Sequence, residues 1–374
     1  MRWTWYFIEP HDVWMFRDNK PFTAQQSFVA RSMFPPTPQT MQGAIRTHVI
    51  ERASVGWSAY ARGESPDLRQ LVGTPPTADG PGELGSLRLR GPFVARRENG
   101  RIRRLTQMPM DVFRRKEDLS QLVRLMPHPL DFETESPLAG WQPLRLSPDA
   151  IPEEYEEARG WLDDAALVEY MRGATPSSAV KPGDLYHYDE RIGLGLVHER
   201  RVAAEALLYH AEFVRLCDGV GLLAGVSDGL LDERGILNLG GEARAAYYET
   251  VDYAPPTVEA QDRLTLVLLT PAYFSGGWQP ANGDWTPWVG ATGRLVSAVI
   301  GKPLLISGWD VARNRAKTLY HYVPAGSVYR FENAVWQGQD IRFTETPQNL
   351  ETGGADALDH CAIGFGDVAL GHWE

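Results

Sequence analysis

Trp3-Thr4-Trp5-Tyr6-Phe7-Ile8, closed by Glu9-Pro10, and Phe34-Pro35-Pro36-Thr37-Pro38-Gln39-Thr40 further on decide the fold class of this 374-residue chain. The first run alternates aromatic and β-branched residues, which is the pattern of a buried strand. The second run launches a helix to about Ala53. Thr37 is a good N-cap, and Pro38 suits the first helical position, where a missing N–H costs nothing. Met41, Ala44, Ile45 and Val49 fall on one apolar stripe. Gly43, in mid-helix, costs about 1 kcal/mol against Ala, so its presence suggests close approach of another strand or a phosphate. Between the two runs, Arg17 and Lys20 sit in a loop bracketed by Phe16 and Phe22.

Outward from this unit the pattern is uneven. Residues 56–85, rich in Gly, Pro and Ser, read as connection. Residues 82–94 suggest a strand turning at Gly91-Pro92. Glu98-Asn99-Gly100 marks a hairpin between Phe93–Arg96 and Arg101–Leu105. Residues 127–152 are proline-rich, and Glu153 to about Met171 reads as a helix. A loop and hairpin over 183–203 precede a strand over 206–216. The second half holds a strand at 264–269, a Gly, Trp and Pro-rich loop at 274–288, a short helix at 293–300, and strands at 303–306 and 326–331. No exact repeat is present. Both halves nonetheless run strand, loop, helix, strand, which predicts two similar α+β sheets.

The length suggests two domains, or one with long insertions. Cys217 and Cys361 are too few for a disulfide scaffold or a structural zinc site. No apolar run approaches a membrane span and the N-terminus reads as a strand, so a soluble cytoplasmic protein is expected. Twelve tryptophans suggest large aromatic interfaces. The net charge of −11 argues against a generic nucleic-acid binder, but the charge is segregated. Residues 1–50 carry a net +2, residues 88–124 a net +7, and residues 149–169 a net −7. One reading is a basic arm that touches phosphates and an acidic surface turned elsewhere. The other is two oppositely charged solvated faces.

Several residues suit a nucleic-acid backbone. A helix start at Thr37, Gln39 and Thr40 carries unpaired N–H groups and a partial positive charge, which favour phosphate. Arg17, Lys20, Arg31 and Arg46 lie around it in sequence. Loop cations next to Phe22 suit a single strand, since charge tracks the backbone and rings stack on bases. Arg96, Arg97, Arg101 and Arg103 cluster about the hairpin turn. Arg313, Arg315 and Lys317 form a last basic group. No metal-ligand spacing and no phosphate loop can be read, and no cofactor is expected.

Four blocks together resemble the third subunit of the Cmr complex, the type III-B CRISPR interference machine, within the RAMP superfamily of RNA-binding proteins. They are Ile8 to Phe22; Phe34 to Thr40 with Gly43-Ala44-Ile45-Arg46; Arg191-Ile192-Gly193 through Glu205 to Glu212; and Ser307-Gly308-Trp309-Asp310 with Val323 to Tyr329. The resemblance implies two ferredoxin-like, RRM-type domains packed together, one over 1–255 with large insertions at about 56–185, the other over 256–374. It implies thumb-like hairpin insertions and a glycine-rich loop near the C-terminus, here Gly364 and Gly366, and it adds Arg191 and Gly193 to the RNA-binding set. The implied task is non-catalytic: holding the 5′ repeat-derived handle of the CRISPR RNA. The implied partners are the large polymerase-like subunit and the backbone RAMP subunits, with target RNA met indirectly. Asp367 departs from the family's basic glycine-rich loop, since it would repel phosphate.

Two other function classes stay open on the residues alone. One is a metal-independent endoribonuclease processing precursor RNA, with His11, His48 or His187 as acid or base. The other is a tryptophan-rich protein-interaction or carbohydrate-binding module.

Overall fold

The computed structural model describes residues 1–18, 29–53, 55–75, 77, 82–118, 120–129, 140–197, 202–227, 230–310, 314–337, 342–347 and 359–373. The chain is strand-rich with few helices and forms two compact units. The first comprises residues 1–102, 183–252 and 305–320; the second comprises 103–182, 253–304 and 321–374. Residues 103–182 pack with the C-terminal segments.

In the first unit the opening strand, Trp3–Pro10, is central. It runs antiparallel to Val220–Ser227 on one side and Ala245–Val251 on the other. Leu89–Glu98 lies beyond the first neighbour and Arg234–Asn238 beyond the second. Residues on both faces of the central strand, Trp5, Tyr6, Phe7 and Ile8, are buried. That explains a nearly continuous apolar run rather than strict alternation. The expected helix is α1, Pro38–Arg52, and the Thr37 hydroxyl accepts from the Thr40 N–H at 3.2 Å. Met41, Ile45 and Val49 are buried, and Ala44 is half-buried. His48 reaches across to the Tyr248 hydroxyl at 2.9 Å, which fixes α1 over the strand Ala245–Val251.

Residues 56–85 are not mere connection. They contain α2, Gly56–Arg62, and α3, Pro66–Val72, each too short to show helical periodicity in the sequence. The Asn99-Gly100 turn is present as expected, with both residues at positive φ, 49° and 76°. Tyr186–Val197 pairs antiparallel with Val202–Leu216 in a long hairpin.

The second unit is built on a four-stranded antiparallel sheet in the order Arg294–Val299, Val328–Glu332, Leu264–Leu268, Val368–His372. Residues 293–300 were expected as a helix. They form an edge strand instead, since Val296 and Val299 are β-branched and Leu295 has Phe331 as its cross-strand partner. On one face Leu264, Leu266, Leu268, Tyr329 and Phe331 pack on Phe274, Trp285, Trp288 and Phe343. Five tryptophans (Trp141, Trp278, Trp285, Trp288 and Trp336) therefore belong to or adjoin a core. On the other face Arg330 stands between Thr265 and Ser297. Its guanidinium binds the Asp111 carboxylate and donates to the Leu125 carbonyl at 3.2 Å. Arg124 donates to the same carboxylate at 3.2 Å, and Tyr170 donates to both its oxygens at 2.8 and 2.9 Å. All four side chains are buried.

The expected helix over 153–171 is a helix only from Asp164 to Met171, here α4, with Asp163 as its N-cap. Tyr155–Glu157 and Trp161–Asp163 are strands paired with Val112–Arg115 and Arg101–Gln107. The pairing overrides local helix propensity because it joins opposite charges. Arg114 meets Glu156 at 2.6 Å, Arg115 meets Glu154 at 2.8 Å, and Arg104 meets Asp164 at 2.9 Å. The basic and acidic segments are therefore each other's counterions. Four arginines of the basic segment, Arg103, Arg104, Arg114 and Arg115, are engaged in this way, whereas Arg101 stays exposed.

Two outcomes follow from these contacts. Asp111→Ala leaves two buried guanidiniums without a counter-charge and is expected to cost about 3–5 kcal/mol, read from urea denaturation at neutral pH. A loss within about 0.5 kcal/mol, ordinary for a surface substitution, would contradict this account. Burial, followed by the charge of Arg52, lowers the His48 pKa. The unfolded chain then binds a proton that the folded chain refuses. The His48 contribution is complete above the unfolded pKa of about 6.5 and falls away on acidification below it. His48→Gln should flatten that slope in a pH series of thermal midpoints.

Candidate nucleic-acid interface

Helix α1 has no acidic residue in its first turn, so its positive end is not internally neutralised. Three elements of the first unit meet there. The first is an aromatic step. Phe34, just before the helix, lies 4.7 Å from Tyr186, and Tyr186 lies 5.6 Å edge-on from Tyr188, which is 47% exposed. Burial raises both tyrosine pKa values, that of Tyr188 to about 12, so both stay neutral donors at physiological pH. The second is the segment around Gly308. A Cβ there would come within 2.5 Å of Gln39 Nε2, so this bare backbone lies against the side chain of Gln39 at the helix start. The Lys317 N–H donates to the Gly308 carbonyl at 2.8 Å, and the neighbouring Trp309 is 58% exposed. The third is a pair of exposed cations. Arg17 and Arg31 lie on neighbouring backbone segments ahead of the helix, where the Asp18 N–H donates to the Arg31 carbonyl at 3.0 Å. Glu212 fixes Ser32 between them and the helix, accepting from its N–H at 2.9 Å.

The other sequence-derived candidates are placed unevenly. Lys20, Phe22 and Arg313 lie outside the described residues. Thr37 is buried as the cap, while Gln39 and Thr40 are half-buried at the helix start. Arg46 was expected on an open surface. It is half-buried, packed on Tyr60, and burial lowers its pKa. Arg96 donates to the Asp184 carbonyl and meets Glu98 at 3.5 Å. Arg97 pairs with Glu249 and lies 3.7 Å from Glu9. Arg103 meets Asp163 at 3.4 Å, whereas Arg101 is exposed at the hairpin tip. Arg191 shares Asp12 and Asp189 with Arg215. Gly193 is half-buried within its hairpin. Gly364 and Gly366 are buried; a Cβ at Gly366 would meet the Phe343 backbone at 2.8 Å, so this glycine serves chain packing.

Two contributors escaped the sequence reading. Tyr186 and Tyr188 read as a packed loop around His187, and Trp309 stood only as part of a motif. Their exposure and their approach to α1 are tertiary facts. Of the histidines, His11 bonds the Tyr247 hydroxyl at 3.1 Å, and His187 Nε2 is 3.6 Å from Cys217 Sγ. Among the described residues no cluster of three metal-ligating side chains occurs, and no helix is long and apolar enough to cross a membrane.

The chain is thus a mixed, strand-rich α/β protein with a capped helix start beside aromatic and cationic surface. The chain belongs to the Cas_Cmr3 family of CRISPR-associated proteins, whose family model matches residues 6–373. In fold it is similar to a chain of the type III-B Cmr-beta complex solved by cryo-EM with cognate target RNA and AMPPnP. That match has a TM-score of 0.51 and 18% identity over 87% of this chain and 86% of that chain. A second Cmr-beta structure, bound to cognate target RNA, matches with a TM-score of 0.48 and 18% identity over the same shares. A chain of the Csm3-Csm4 subcomplex of the type III-A interference complex matches at 0.36 and 10% identity, over 89% of this chain and 94% of that one. No curated protein matches.

Gly43 is exposed on α1, and a Cβ there would meet nothing within 4 Å. The close approach expected at this glycine is therefore not made by the chain itself. Gly43→Ala should stabilise the isolated protein by about 1 kcal/mol, seen as a raised thermal midpoint. A lowered midpoint would mean that the glycine serves the chain's own packing.

Proposed function

We propose that this protein is a non-catalytic subunit of a type III CRISPR effector complex and holds the 5′ repeat-derived handle of the guide RNA on the α1 start. The observation that carries this reading is the aromatic step of Phe34, Tyr186 and Tyr188 beside that helix end, with the exposed Arg17 and Arg31 on the segments that precede the helix in the chain, in a member of the Cas_Cmr3 family. The helix end and the cations suit the phosphates; the rings suit unstacked bases, at about 1–3 kcal/mol per stacked base. Gln39, Thr40 and Lys317 complete the surface. On this reading the sequence comprises two ferredoxin-like halves, 1–255 and 256–374, and the large polymerase-like subunit and the backbone subunits are its neighbours. Arg101 and the hairpin it ends form the thumb. Catalysis on the target belongs to other subunits, and the work proposed for this chain takes place in the cytoplasm.

The test is binding of labelled repeat RNA in EDTA, with Arg17→Ala, Arg31→Ala and Tyr188→Ala. Each arginine variant should weaken binding without regard to base identity and reduce the salt slope by about 0.7 per lost phosphate contact, the single-strand value. Tyr188→Ala should weaken binding with the salt slope unchanged. Unaltered affinity in all three would place the RNA elsewhere, and cleavage of the RNA in EDTA would replace this reading with a metal-independent nuclease.

A further inference from the structure

A groove of about 340 Å³ lies on the first unit's sheet, away from the α1 start. Ligand pockets run from about 300 to 1,000 Å³, so its size suits one planar ring system. Phe7, Glu9, Ile236, Tyr247, Glu249 and Arg234 line it. The register explains why they share a face. Phe7 and Arg234 both stand opposite Glu249, and Glu9 and Ile236 both stand opposite Tyr247. Ile236 is 55% and Tyr247 46% exposed, so a large apolar and aromatic surface is left open beside two carboxylates. Arg97 holds those carboxylates from the side of the groove, paired with Glu249, 3.7 Å from Glu9 and 4.8 Å over the Phe7 ring. Arg234 has no ion-pair partner among the described residues and supplies donors at the rim.

Two carboxylates in a groove repel a phosphate backbone. They accept hydrogen bonds from a group that offers adjacent donors, and the exposed ring of Tyr247 offers stacking. With Arg234 the groove also presents donors, so a simple cation is not its best complement. Guanine presents N1–H and the N2 amine side by side for one carboxylate, with O6 and N7 as acceptors for an arginine. Adenine and cytosine set an acceptor beside their amine donor, and uracil flanks its single N–H with two carbonyls. Base edges of single-stranded RNA are read in this manner.

We propose that this groove binds a guanine base of single-stranded RNA, stacked on Tyr247 with its Watson–Crick edge on Glu9 or Glu249. The inference rests on the RNA-binding reading for its biological context only, because the ligand can be tested as a free nucleoside.

The experiment is calorimetric and saturation-transfer titration of the full chain, without RNA, with guanosine, adenosine, cytidine and uridine in turn. N-acetylarginine amide is titrated as a cationic control. Guanosine should bind about tenfold tighter than the other three, within the discrimination typical of a bidentate base contact. Glu9→Gln and Glu249→Gln together should remove that preference, and Tyr247→Leu should weaken all nucleosides alike, with circular dichroism unchanged. Equal binding of the four nucleosides, no binding, or binding of the arginine amide alone would overturn the proposal. Guanosine binding with no affinity for repeat RNA would leave the groove assigned and reject the handle reading. The reverse result would reject only the groove.

Discussion

The Asp111 carboxylate is the constraint around which the second unit is organised. It is fully buried and takes donors from Arg330 in one strand, from Arg124 in a short strand and from Tyr170 in α4. Two buried cations on one buried anion are costly to desolvate, and the pair energy alone does not make such a cluster favourable. Its value here is positional. Each donor comes from a different segment, so the carboxylate specifies how three elements meet. Arg124 also lies 4.0 Å over the Tyr170 ring, which adds a cation–π contact in a dry setting. Burial opposes the charge on Arg124, yet Tyr170 and Asp111 hold its pKa raised. Burial likewise pushes the Tyr170 hydroxyl upward, so it remains a donor throughout the physiological range.

The two faces of that sheet divide the labour. One is an aromatic core in which Trp285 stacks on Phe343 at 5.4 Å, and Trp288 Nε1 donates to the Arg342 carbonyl at 2.7 Å. Apolar burial there supplies the driving force, since it scales with area and needs no fixed geometry. The other is the polar row of Thr265, Arg330 and Ser297, where geometry is demanded. Gly371 belongs to the same arrangement. A Cβ at that position would stand 2.3 Å from the Met171 carbonyl, so the absence of a side chain lets α4 close on the sheet.

Charge follows the same logic of local pairing. Four of the eight candidate arginines are committed to carboxylates: Arg96 to Glu98, Arg97 to Glu249, Arg103 to Asp163, Arg191 to Asp12 and Asp189. Exposed pairs of this kind contribute little stability, about 0–1 kcal/mol each. They do lower the local positive potential. The exposed positive potential is therefore narrower than the count of arginines implies.

The sequence by itself determined the elements whose cause is local. Thr37 and Pro38 mark the start of α1, Asn99-Gly100 marks a two-residue hairpin turn, and the aromatic run at 3–8 marks a buried strand. Capping, turn chemistry and periodicity act within a few residues, and four spaced motifs sufficed to indicate the family that the match over residues 6–373 establishes. The tertiary structure decided everything that depends on a distant partner. Residues 155–157 and 161–163 became strands rather than helix because Val112–Arg115 and Arg101–Gln107 pair with them, and 294–299 became a strand because Val328–Glu332 pairs with it. It also decided the candidate interface. Phe34, Tyr186 and Gly308 are far apart in the chain, and only packing brings an aromatic ring and a bare backbone to the same helix end. Long-range pairing energy is absent from any short window of sequence, so no local pattern could have announced it.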